Sequence, residues 1–457
     1  MSRKPAPPHI VIAGGGVAAV EAMLALRALA GRRPAITLLS AETELAPPAA
    51  AVATPFGFEP PAALPIGPLA ERHGVRVRPG MLAAVEVPMR AAVLDDDRRL
   101  AYDHLLVAVG ARRGAAISGA VTFRGPADTP SVEAVLDDIA AGRASHLAVV
   151  VPSSDVWSLP AYELAIMAAV ELRSRGVVEP RVTLVTPEPV ALAVFGATAA
   201  DAVAELLHRR GIELHTASTP LSAQPGVLRT SAGDVPADRV IALPESVGPF
   251  LPGLPHDEGG FIPTDEHGCV EGCPGVYAAG DATSFGLRQG GLAAQQADAA
   301  AETIAARLGA IAAPRPFHPV LRGVLLTGGA PLYLRADLTA GGDAVTRPLT
   351  AQGSSAGPRS LWWPPAKVAG RYLAPLLSTA RPPSLLASPM SDLADAPPAE
   401  EPGIDAALAL ALAIADEDAS EGDYGQALHA LDAARGLCGG VLPRAYADKE
   451  RDWASRA

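Results

Sequence analysis

Cysteine is scarce in this chain of 457 residues, which contains only Cys269, Cys273 and Cys438. Three thiols are too few for the disulfide framework of a small secreted protein, so we expect a reducing, cytoplasmic location. Cys269 and Cys273 lie in a turn-rich stretch, and their spacing matches no redox motif. We therefore interpret them as incidental thiols.

Lysine and an excess of positive charge are also lacking. The 37 basic residues include three lysines, which leaves 34 arginines, and 49 acidic residues bring the net charge to −12. Proteins that bind a nucleic-acid backbone cluster positive charge, so the composition argues against a nucleic-acid partner. The preference for arginine is typical of coding bias and indicates no function.

Long apolar runs are missing as well. The longest uncharged apolar run of the C-terminal region, residues 406–415, is shorter than the ~18–20 residues that span a bilayer. Near the N terminus, glycines and Glu21 interrupt the apolar run that begins at residue 9, unlike the core of a signal peptide. We expect no membrane-spanning segment. Peripheral contact with the inner face of a membrane and formation of a homo-oligomer both stay open.

The hydrophobic pattern indicates two βαβ units. Strand, helix and strand patterns follow one another in residues 9–39 and again in residues 147–185. Strand patterns return at 239–243 and 275–279, before a long helical pattern at 291–308. The order predicts an α/β protein with two Rossmann-like, doubly wound dinucleotide-binding domains, the second inserted in the first.

Composition shifts divide the rest of the chain. Residues 381–403, rich in Pro, Ala and Ser, are typical of a linker, and the segment after them has the pattern of two helices. The predicted regions are a first dinucleotide-binding domain (8–115 and 241–310), a second dinucleotide-type domain (116–240), a C-terminal covering or interface region (311–380), the linker (381–403) and a helical tail (404–457).

A glycine-rich turn follows the first strand. Gly14, Gly16 and Ala19 are spaced as in the dinucleotide-binding fingerprint, between a predicted strand and a predicted helix. The glycines allow a tight turn and a close approach to a pyrophosphate, and the helix N terminus favours negative charge. Glu42, after the next strand, is the candidate partner of the ribose. The turn residues that we expect to bind a cofactor are Gly14, Gly15, Gly16, Val17, Ala18 and Ala19.

Two later motifs, together with this turn, resemble a known family. Residues 102–112 contain Gly110 after an apolar run, and residues 275–283 contain Gly280 and Asp281. In this order the three motifs resemble the pyridine nucleotide–disulfide oxidoreductase superfamily over residues 8–380. The resemblance implies a bound FAD, with its pyrophosphate at the first motif and its ribityl chain at Asp281. Val109 departs from the family, where a threonine is common.

Within the superfamily the chain resembles sulfide:quinone oxidoreductases and type II NADH dehydrogenases. Pro160-Ala-Tyr-Glu163 is similar to a segment of the sulfide enzymes, and residues 289–297 resemble the Ala-Gln segment of the quinone pocket in the NADH enzymes. The resemblance implies that Glu163 is a catalytic proton relay and that Tyr162 and Gln295 contact the substrate or acceptor. Glu163 as a helix-terminal acid and Gln295 as ordinary helix surface are the alternatives.

The second domain departs from both groups of enzymes. Residues 152–162 contain no glycine, so close approach of a nicotinamide dinucleotide pyrophosphate is not expected. Trp157 stands where the sulfide enzymes carry a reactive cysteine, which argues against sulfide oxidation by the dithiol route. Whether NAD(P)H is used at all stays open.

The segment at 361–377 combines Trp362, Trp363, Lys367 and Arg371 with apolar residues. Such a set suits either the headgroup zone of a bilayer or a buried flavin wall, and prolines in the segment favour the second interpretation. The histidines lack ligand spacing, so we expect no metal site.

These patterns predict an FAD-dependent oxidoreductase. Two electrons would pass from an unidentified small-molecule donor through FAD to a small-molecule acceptor, for which a quinone is one candidate. The alternative is a non-catalytic or sensory flavoprotein that signals through its C-terminal helix pair.

Overall fold

The computed structural model describes residues 7–59, 62–339, 349–362, 364–378 and 444–456, together with single residues between 412 and 431. The chain divides into two compact units, one of residues 1–359 and 367–386 and one of residues 360–366 and 387–457. The predicted linker at 381–403 and most of the predicted tail helices lie outside the described residues.

The described strands are, in chain order, β1 (His9–Ala13), β2 (Ala35–Ser40), β3 (Glu44–Leu45), β4 (Leu64–Pro65), β5 (Arg76–Pro79), β6 (Leu82–Glu86), β7 (Ala91–Leu94), β8 (Arg99–Ala101), β9 (His104–Val107), β10 (Arg112–Arg113), β11 (Val121–Thr122), β12 (His146–Val150), β13 (Arg181–Val185), β14 (Ile212–His215), β15 (Pro220–Gln224), β16 (Val227–Thr230), β17 (Gly233–Pro236), β18 (Arg239–Ala242), β19 (Ser246–Val247), β20 (Val276–Ala278), β21 (Val320–Leu325), β22 (Leu332–Thr339), β23 (Thr350–Ala351) and β24 (Ser355–Gly357).

The described α-helices are α1 (Val17–Ala30), α2 (Ile66–Arg72), α3 (Thr129–Ala140), α4 (Leu159–Ser174), α5 (Ala197–Arg209), α6 (Gly290–Arg307), α7 (Ala374–Ser378) and α8 (Arg444–Arg456). The 3₁₀ helices are Pro48–Phe56, Val87–Met89, Pro126–Asp128, Ala193–Phe195 and Gly280–Ala282.

The first sheet is parallel, with the strand order β20-β9-β1-β2-β5. Its central strand β1 is almost entirely apolar because both of its faces are covered. Ile10 and Ile12 pack with residues of α1 and α6, whereas Val11 and Ala13 pack with the small antiparallel sheet β6-β7-β8. The carboxyl ends of β1, β2, β9 and β20 therefore open at one edge.

The second sheet repeats this plan, with the parallel order β11-β18-β12-β13-β14. Leu147 and Val149 of β12 face α3 and α4, and Ala148 and Val150 face the antiparallel sheet β15-β16-β17. All five strands lie between β9 and β20 in the chain. The prediction of two Rossmann-like domains, the second inserted in the first, is confirmed.

A third, antiparallel sheet follows α6. Its strand β22 pairs with β21, β23 and β24, and β21 packs against both α4 and α6. The chain of this unit resumes at Lys367 and ends in α7, where Leu373 is buried among residues of α1 and α6. The sheet and this segment thus complete the wall at the open edge of the first sheet.

In the second unit, α8 presents Trp453 to a small apolar cluster that includes Leu431. The hydroxyl of Tyr446 donates to Asp416 over 2.7 Å, and the indole Nε1 of Trp362 donates to the carbonyl of Ala366 over 3.3 Å. Across the described part of the chain, none of the helices has the length and apolar character needed to cross a membrane.

Candidate active site

The open edge of the first sheet leads into a cavity of about 640 Å³. Parallel α/β sheets bind ligands at this edge, where loops at the carboxyl ends of the strands diverge. The turn after β1, the loops after β2 and β9, the N termini of α4 and α6, strand β21 and Lys367 all contribute to the wall. Both dinucleotide-type domains and the C-terminal segment therefore meet around one space.

The three glycines of the turn after β1 differ in the space around them. Gly14 has a φ of +130°, and a Cβ on it would lie 2.1 Å from the carbonyl oxygen of Ala108. At Gly15 a Cβ would lie 2.2 Å from Oγ of Ser40. At Gly16 a Cβ would meet no protein atom within 4 Å, although the residue lines the cavity. The fold thus requires glycine at position 14, a Cβ at position 15 would displace the side chain of Ser40, and position 16 leaves open space at the cavity.

The first turn of α1 continues this surface. Val17 and Ala18 line the cavity, whereas Ala19 is fully buried in the core between helix and sheet. Gly16 occupies the N-cap position of α1 without a side-chain hydrogen bond. Because the first N–H groups of a helix have no partner within it, this end of α1 is suited to an anion.

Glu42 lies beyond the end of β2 and is exposed at the cavity. Its backbone N–H donates to Oγ of Ser40 over 3.0 Å, and the Ser40 hydroxyl lies 3.2 Å from a Glu42 carboxylate oxygen. This local turn holds the carboxylate beside the glycine turn, where dinucleotide folds place the acid that binds ribose.

Gly280 and Asp281 form a turn after β20. The backbone N–H of Gly280 donates to the side-chain oxygen of Gln296 over 2.7 Å, and the hydroxyl of Thr283 donates to the Gly280 carbonyl over 2.9 Å. Burial raises the pKa of Asp281, and the guanidinium groups of Arg113 and Arg288 act in the opposite direction. Asp281, Gly280 and Gly110, which the motifs predict to bind the cofactor, all line the cavity.

Several arginines give this side of the cavity a positive charge that the sequence analysis did not anticipate. The guanidinium of Arg288 lies 3.6 Å from the ring centroid of Phe261, a cation–π contact that fixes its direction. The arginines that line the cavity are Arg112, Arg113, Arg124, Arg288 and Arg322. Each lies in a loop, a short strand or an edge position, where sequence periodicity carries little information.

Glu163 and Lys367 form an ion pair on the opposite wall. The Lys367 ammonium lies 2.8 Å from both carboxylate oxygens of Glu163, which is 0% exposed, and it also donates to the carbonyl of Ala49 over 2.8 Å. The backbone N–H of Leu326 donates to Glu163 over 2.9 Å. Burial raises the pKa of Glu163, while Lys367 and the Leu326 amide act to lower it. The carboxylate thus binds residues outside its own helix.

Tyr162 and Gln295 form hydrogen bonds with other residues of the fold, and neither lines the cavity. The Tyr162 hydroxyl donates to Glu188 over 2.8 Å and accepts from the backbone N–H of Leu192 over 3.0 Å. Gln295 exchanges hydrogen bonds with the backbone of Val320 at the start of β21. Successive residues of a helix point in different directions, so adjacency to Glu163 does not bring Tyr162 to the cavity.

No thiol lines the cavity among the residues that the structure describes. Cys269 and Cys273 are free, and burial raises the pKa of each thiol. Trp157 lines the cavity and lies 5.8 Å, centroid to centroid, from Phe195. The described residues likewise form no cluster suited to a metal ion.

A family model described as pyridine nucleotide-disulphide oxidoreductase matches residues 8–301, which is more than half of the chain. The chain belongs to this family. Its members are FAD-dependent oxidoreductases, so the predicted family, enzyme class and cofactor are confirmed.

Solved structures of related fold share less than a quarter of their residues with this oxidoreductase. A sulfide:quinone oxidoreductase from Aquifex aeolicus is 18% identical, with a TM-score of 0.67 over 77% of this chain and 87% of the other. A ferredoxin reductase from Rhodopseudomonas palustris is 18% identical, with a TM-score of 0.56 over 73% and 83%. Putidaredoxin reductase, in covalent complex with putidaredoxin, is 19% identical, with a TM-score of 0.53 over 76% and 86%.

The residues present in this oxidoreductase fit an FAD. The open space at Gly16, the uncapped N terminus of α1 and the arginines together suit the two negative charges of a pyrophosphate. Glu42 lies beyond β2, where dinucleotide folds place the acid that binds ribose, and Asp281 lines the same cavity as Glu163 and Lys367. The flavin would then lie between α6 and the wall formed by this pair.

The second domain of this oxidoreductase carries a hydrogen-bonded group of side chains at the corresponding ends of β13 and α4. Glu188, just beyond β13, accepts hydrogen bonds from Ser158 over 3.0 Å, Tyr162 over 2.8 Å and Thr186 over 2.9 Å. Ser158 is the N-cap of α4, the helix end that would receive a pyrophosphate. A carboxylate and three hydroxyls are therefore hydrogen-bonded to one another beside the helix end that receives a pyrophosphate in dinucleotide folds.

Proposed function

We propose that this FAD-dependent oxidoreductase passes two electrons from a reduced small molecule other than NAD(P)H to a quinone-type acceptor, with Glu163 as the proton relay. The observation that carries the proposal is the buried carboxylate of Glu163, paired with Lys367 on the cavity wall. An isolated charge in the interior costs several kcal/mol, so a buried acid beside a cavity calls for a role.

Reduction of a quinone to a quinol consumes two protons along with two electrons. When bound, FAD supplies the two-electron chemistry, and the chain has to hold the flavin, exclude water and move protons. Glu163 is fully buried, whereas the side chain of Lys367 retains 19% exposure. The pair therefore places a proton-holding group and a partly exposed ammonium at the same cavity wall.

A raised pKa suits Glu163 to this task. Burial favours the neutral, proton-carrying form of the carboxyl, and Lys367 favours the ionised form. The pKa of Glu163 is raised above its ordinary value, and a carboxyl shifted in this direction holds its proton at higher pH and can pass it on in general acid–base chemistry.

The remaining wall favours an apolar, planar acceptor. Apolar side chains from four segments of the chain line the same cavity as the Glu163–Lys367 pair, and they are Val52, Trp157, Leu159, Pro160, Val324 and Val368. Such a lining is typical of sites for small apolar ligands with a few fixed polar groups. The similar fold of a sulfide:quinone oxidoreductase supports a quinone as the acceptor. The similar fold of a ferredoxin reductase makes a small redox protein the alternative acceptor against which a quinone should be compared. Peripheral attachment to a membrane would give access to such a quinone.

The proposal is tested by the order of acceptors. The purified flavoprotein is photoreduced under anaerobic conditions and mixed with menadione or a short-chain ubiquinone, and reoxidation is followed by flavin absorbance. A plant-type ferredoxin in the oxidised state serves as the protein acceptor for comparison. We expect rapid reoxidation by the quinones and slow reoxidation by ferredoxin, and the reverse order would overturn the proposal. Slow reoxidation by every acceptor would instead support the sensory alternative.

A further inference from the structure

A buried acidic cluster lies between α1, α6 and the segment at 370–373, which is Gly-Arg-Tyr-Leu. At its centre, Glu21 of α1 is 0% exposed. Its two carboxylate oxygens accept the backbone N–H groups of Tyr372 over 2.7 Å and Leu373 over 2.8 Å. A side chain of the first helix thus binds the backbone of a segment about 350 residues away in the chain.

The contact is close on a second side as well. A Cβ on Gly370 would lie 2.5 Å from one carboxylate oxygen of Glu21 and 3.1 Å from Cβ of Ala294 on α6. The segment therefore needs glycine at this position in order to reach the carboxylate.

The other groups around Glu21 are charged or polar. Asp298 and Glu302 face it from α6, and Arg371 and Tyr372 belong to the segment itself. Glu302 pairs with Arg315 at 2.7 Å and lies 3.7 Å from Arg371, whereas one carboxylate oxygen of Asp298 is buried without a hydrogen-bond partner. Burial raises the pKa of Glu21 to about 7, so the ionised carboxylate is buried at a cost in folding free energy.

The segment leads directly to the candidate active site. Lys367 precedes Gly370 by three residues, and Lys367 and Val368 both line the cavity. The same stretch lies against the N terminus of α6, where Cβ atoms on Gly290 and Gly291 would approach Val368 and the backbone of Ala369 at 3.3 and 3.6 Å. Holding residues 370–373 therefore fixes the direction from which Lys367 enters the cavity.

We propose that Glu21 is a positioning residue, whose carboxylate holds the backbone of residues 370–373 and so keeps Lys367 against Glu163. The contribution of this contact to catalysis rests on the proposed function of the Glu163–Lys367 pair. The contact itself is independent of the proposed function, and so is its effect on the proton affinity of Glu163.

The position of Lys367 determines the direction in which the pKa of Glu163 changes. Lys367 lowers the pKa of Glu163, so a looser Lys367 raises that pKa. Removal of the negative charge of Glu21 would by itself lower the pKa of Glu163, because a like charge disappears. The direction of the shift therefore separates lost positioning from a change in the overall field.

Two variants disturb the contact from opposite sides. Glu21→Gln keeps one acceptor oxygen but turns an NH₂ group toward the second backbone N–H, and Gly370→Ala places a Cβ against the carboxylate. Asp298→Asn is the matched control, because it alters a buried carboxyl of the same cluster and leaves the carboxylate of Glu21 in place. Lys367→Met gives the reference for complete loss of the ammonium group.

The first measurement is hydrogen–deuterium exchange of peptides that contain residues 371–373 in the holoprotein. We expect exchange at least tenfold faster in Glu21→Gln and Gly370→Ala than in Asp298→Asn and the unaltered protein. Equal protection in all four proteins would overturn the proposal.

The second measurement is the titration of Glu163, followed by the infrared carbonyl band that disappears in Glu163→Gln. We expect the pKa of Glu163 to rise in Glu21→Gln, Gly370→Ala and Lys367→Met, and not to rise in Asp298→Asn. We also expect Glu21→Gln to cause no further rise in the pKa of Glu163 when it is combined with Lys367→Met. An unchanged or lowered pKa in both contact variants would refute the positioning role, and neither result depends on whether a quinone is the acceptor.

Discussion

Lys367 and Glu163 are 204 residues apart in the chain, yet the Lys367 ammonium lies 2.8 Å from both carboxylate oxygens of Glu163. The pair joins α4 of the second dinucleotide-type domain to the segment that follows the third sheet. Since removal of one partner leaves a buried charge uncompensated, the two residues behave as one unit in stability and in proton affinity.

Asp281→Ala is expected to weaken FAD binding about tenfold or more. The carboxylate lines the cavity beside Arg113 and Arg288, and a charge-assisted hydrogen bond contributes ~1.5–3 kcal/mol. The check is FAD retention during dialysis together with a binding titration of the apoprotein. Asp201→Ala, an exposed site on α5, is the control and should bind FAD normally. Normal affinity in Asp281→Ala would remove this residue from the cofactor site.

Gly16→Ala and Gly14→Ala are expected to fail in different ways. A Cβ at Gly16 meets no protein atom, so this variant should fold with nearly normal stability of the apoprotein and lose affinity for FAD. A Cβ at Gly14 would overlap the carbonyl of Ala108, so that variant should lose folding stability by ~1–3 kcal/mol or more. Urea unfolding of the two apoproteins and FAD titration distinguish these outcomes. Tight FAD binding by Gly16→Ala would show that the pyrophosphate lies elsewhere.

NADH and NADPH are expected to be poor reductants of the flavin. Val156, Ser158 and Ala161 stand where a glycine-rich turn would be needed, and Glu188 with its three hydroxyl donors fills the adjacent position. Stopped-flow mixing with micromolar NADH or NADPH checks this, with dithionite as the positive control. Bleaching at ordinary turnover rates, ~1–10³ per second, is the result that this account does not allow.

Asp298→Asn is expected to stabilise the protein at alkaline pH. Burial raises the pKa of Asp298 well above its ordinary value, so the folded state binds this proton more tightly than the unfolded state does. Stability from this group is therefore lost as the pH rises from the ordinary carboxyl range through the folded-state pKa. Urea unfolding should show the variant to be more stable than the unaltered protein at about pH 8, with the difference fading toward about pH 4. Asp201→Asn should follow the unaltered protein at every pH, and the same behaviour in Asp298→Asn would contradict the account.

Much of the fold follows from local pattern. The helical pattern predicted within residues 9–39 corresponds to Val17–Ala30, and the one at 291–308 corresponds to Gly290–Arg307, because apolar periodicity and flanking glycines mark both ends. The buried strands β1, β12 and β13 are near-continuous apolar runs, as expected of a parallel sheet covered on both faces. The small antiparallel sheets β6-β7-β8 and β15-β16-β17 were not predicted, because their short strands carry weak patterns.

The site was predictable only where a motif constrains the backbone. Gly14, Gly16, Gly280 and Asp281 line the cavity because the turns that hold them have strict steric requirements. Lys367 was not predicted as a partner of Glu163, since no spacing rule connects positions so far apart. Two features of the sequence single out Lys367. It is one of only three lysines in the chain, and it lies in the segment that also contains the paired tryptophans.

The direction of a helical side chain was a further limit. Tyr162 and Gln295 belong to segments that do reach the cavity, but their side chains bind Glu188 and the backbone of Val320 instead. Sequence resemblance located the segments, and only the packing of α4 and α6 determines which of their residues face the cavity.

The central claim is that Glu163 moves protons, and quinone-linked reoxidation of the photoreduced flavoprotein tests it across a range of pH. The matched control is Glu171→Gln, which alters an acid on the same helix that pairs with Arg175. We predict that Glu163→Gln lowers the rate by ~10²-fold or more and abolishes the fall in rate that the unaltered enzyme shows as the pH rises through the raised pKa of Glu163, with an unchanged flavin spectrum. An unchanged rate in Glu163→Gln, with only ~0.3–1 kcal/mol of lost stability, would contradict the claim and identify a helix-terminal acid.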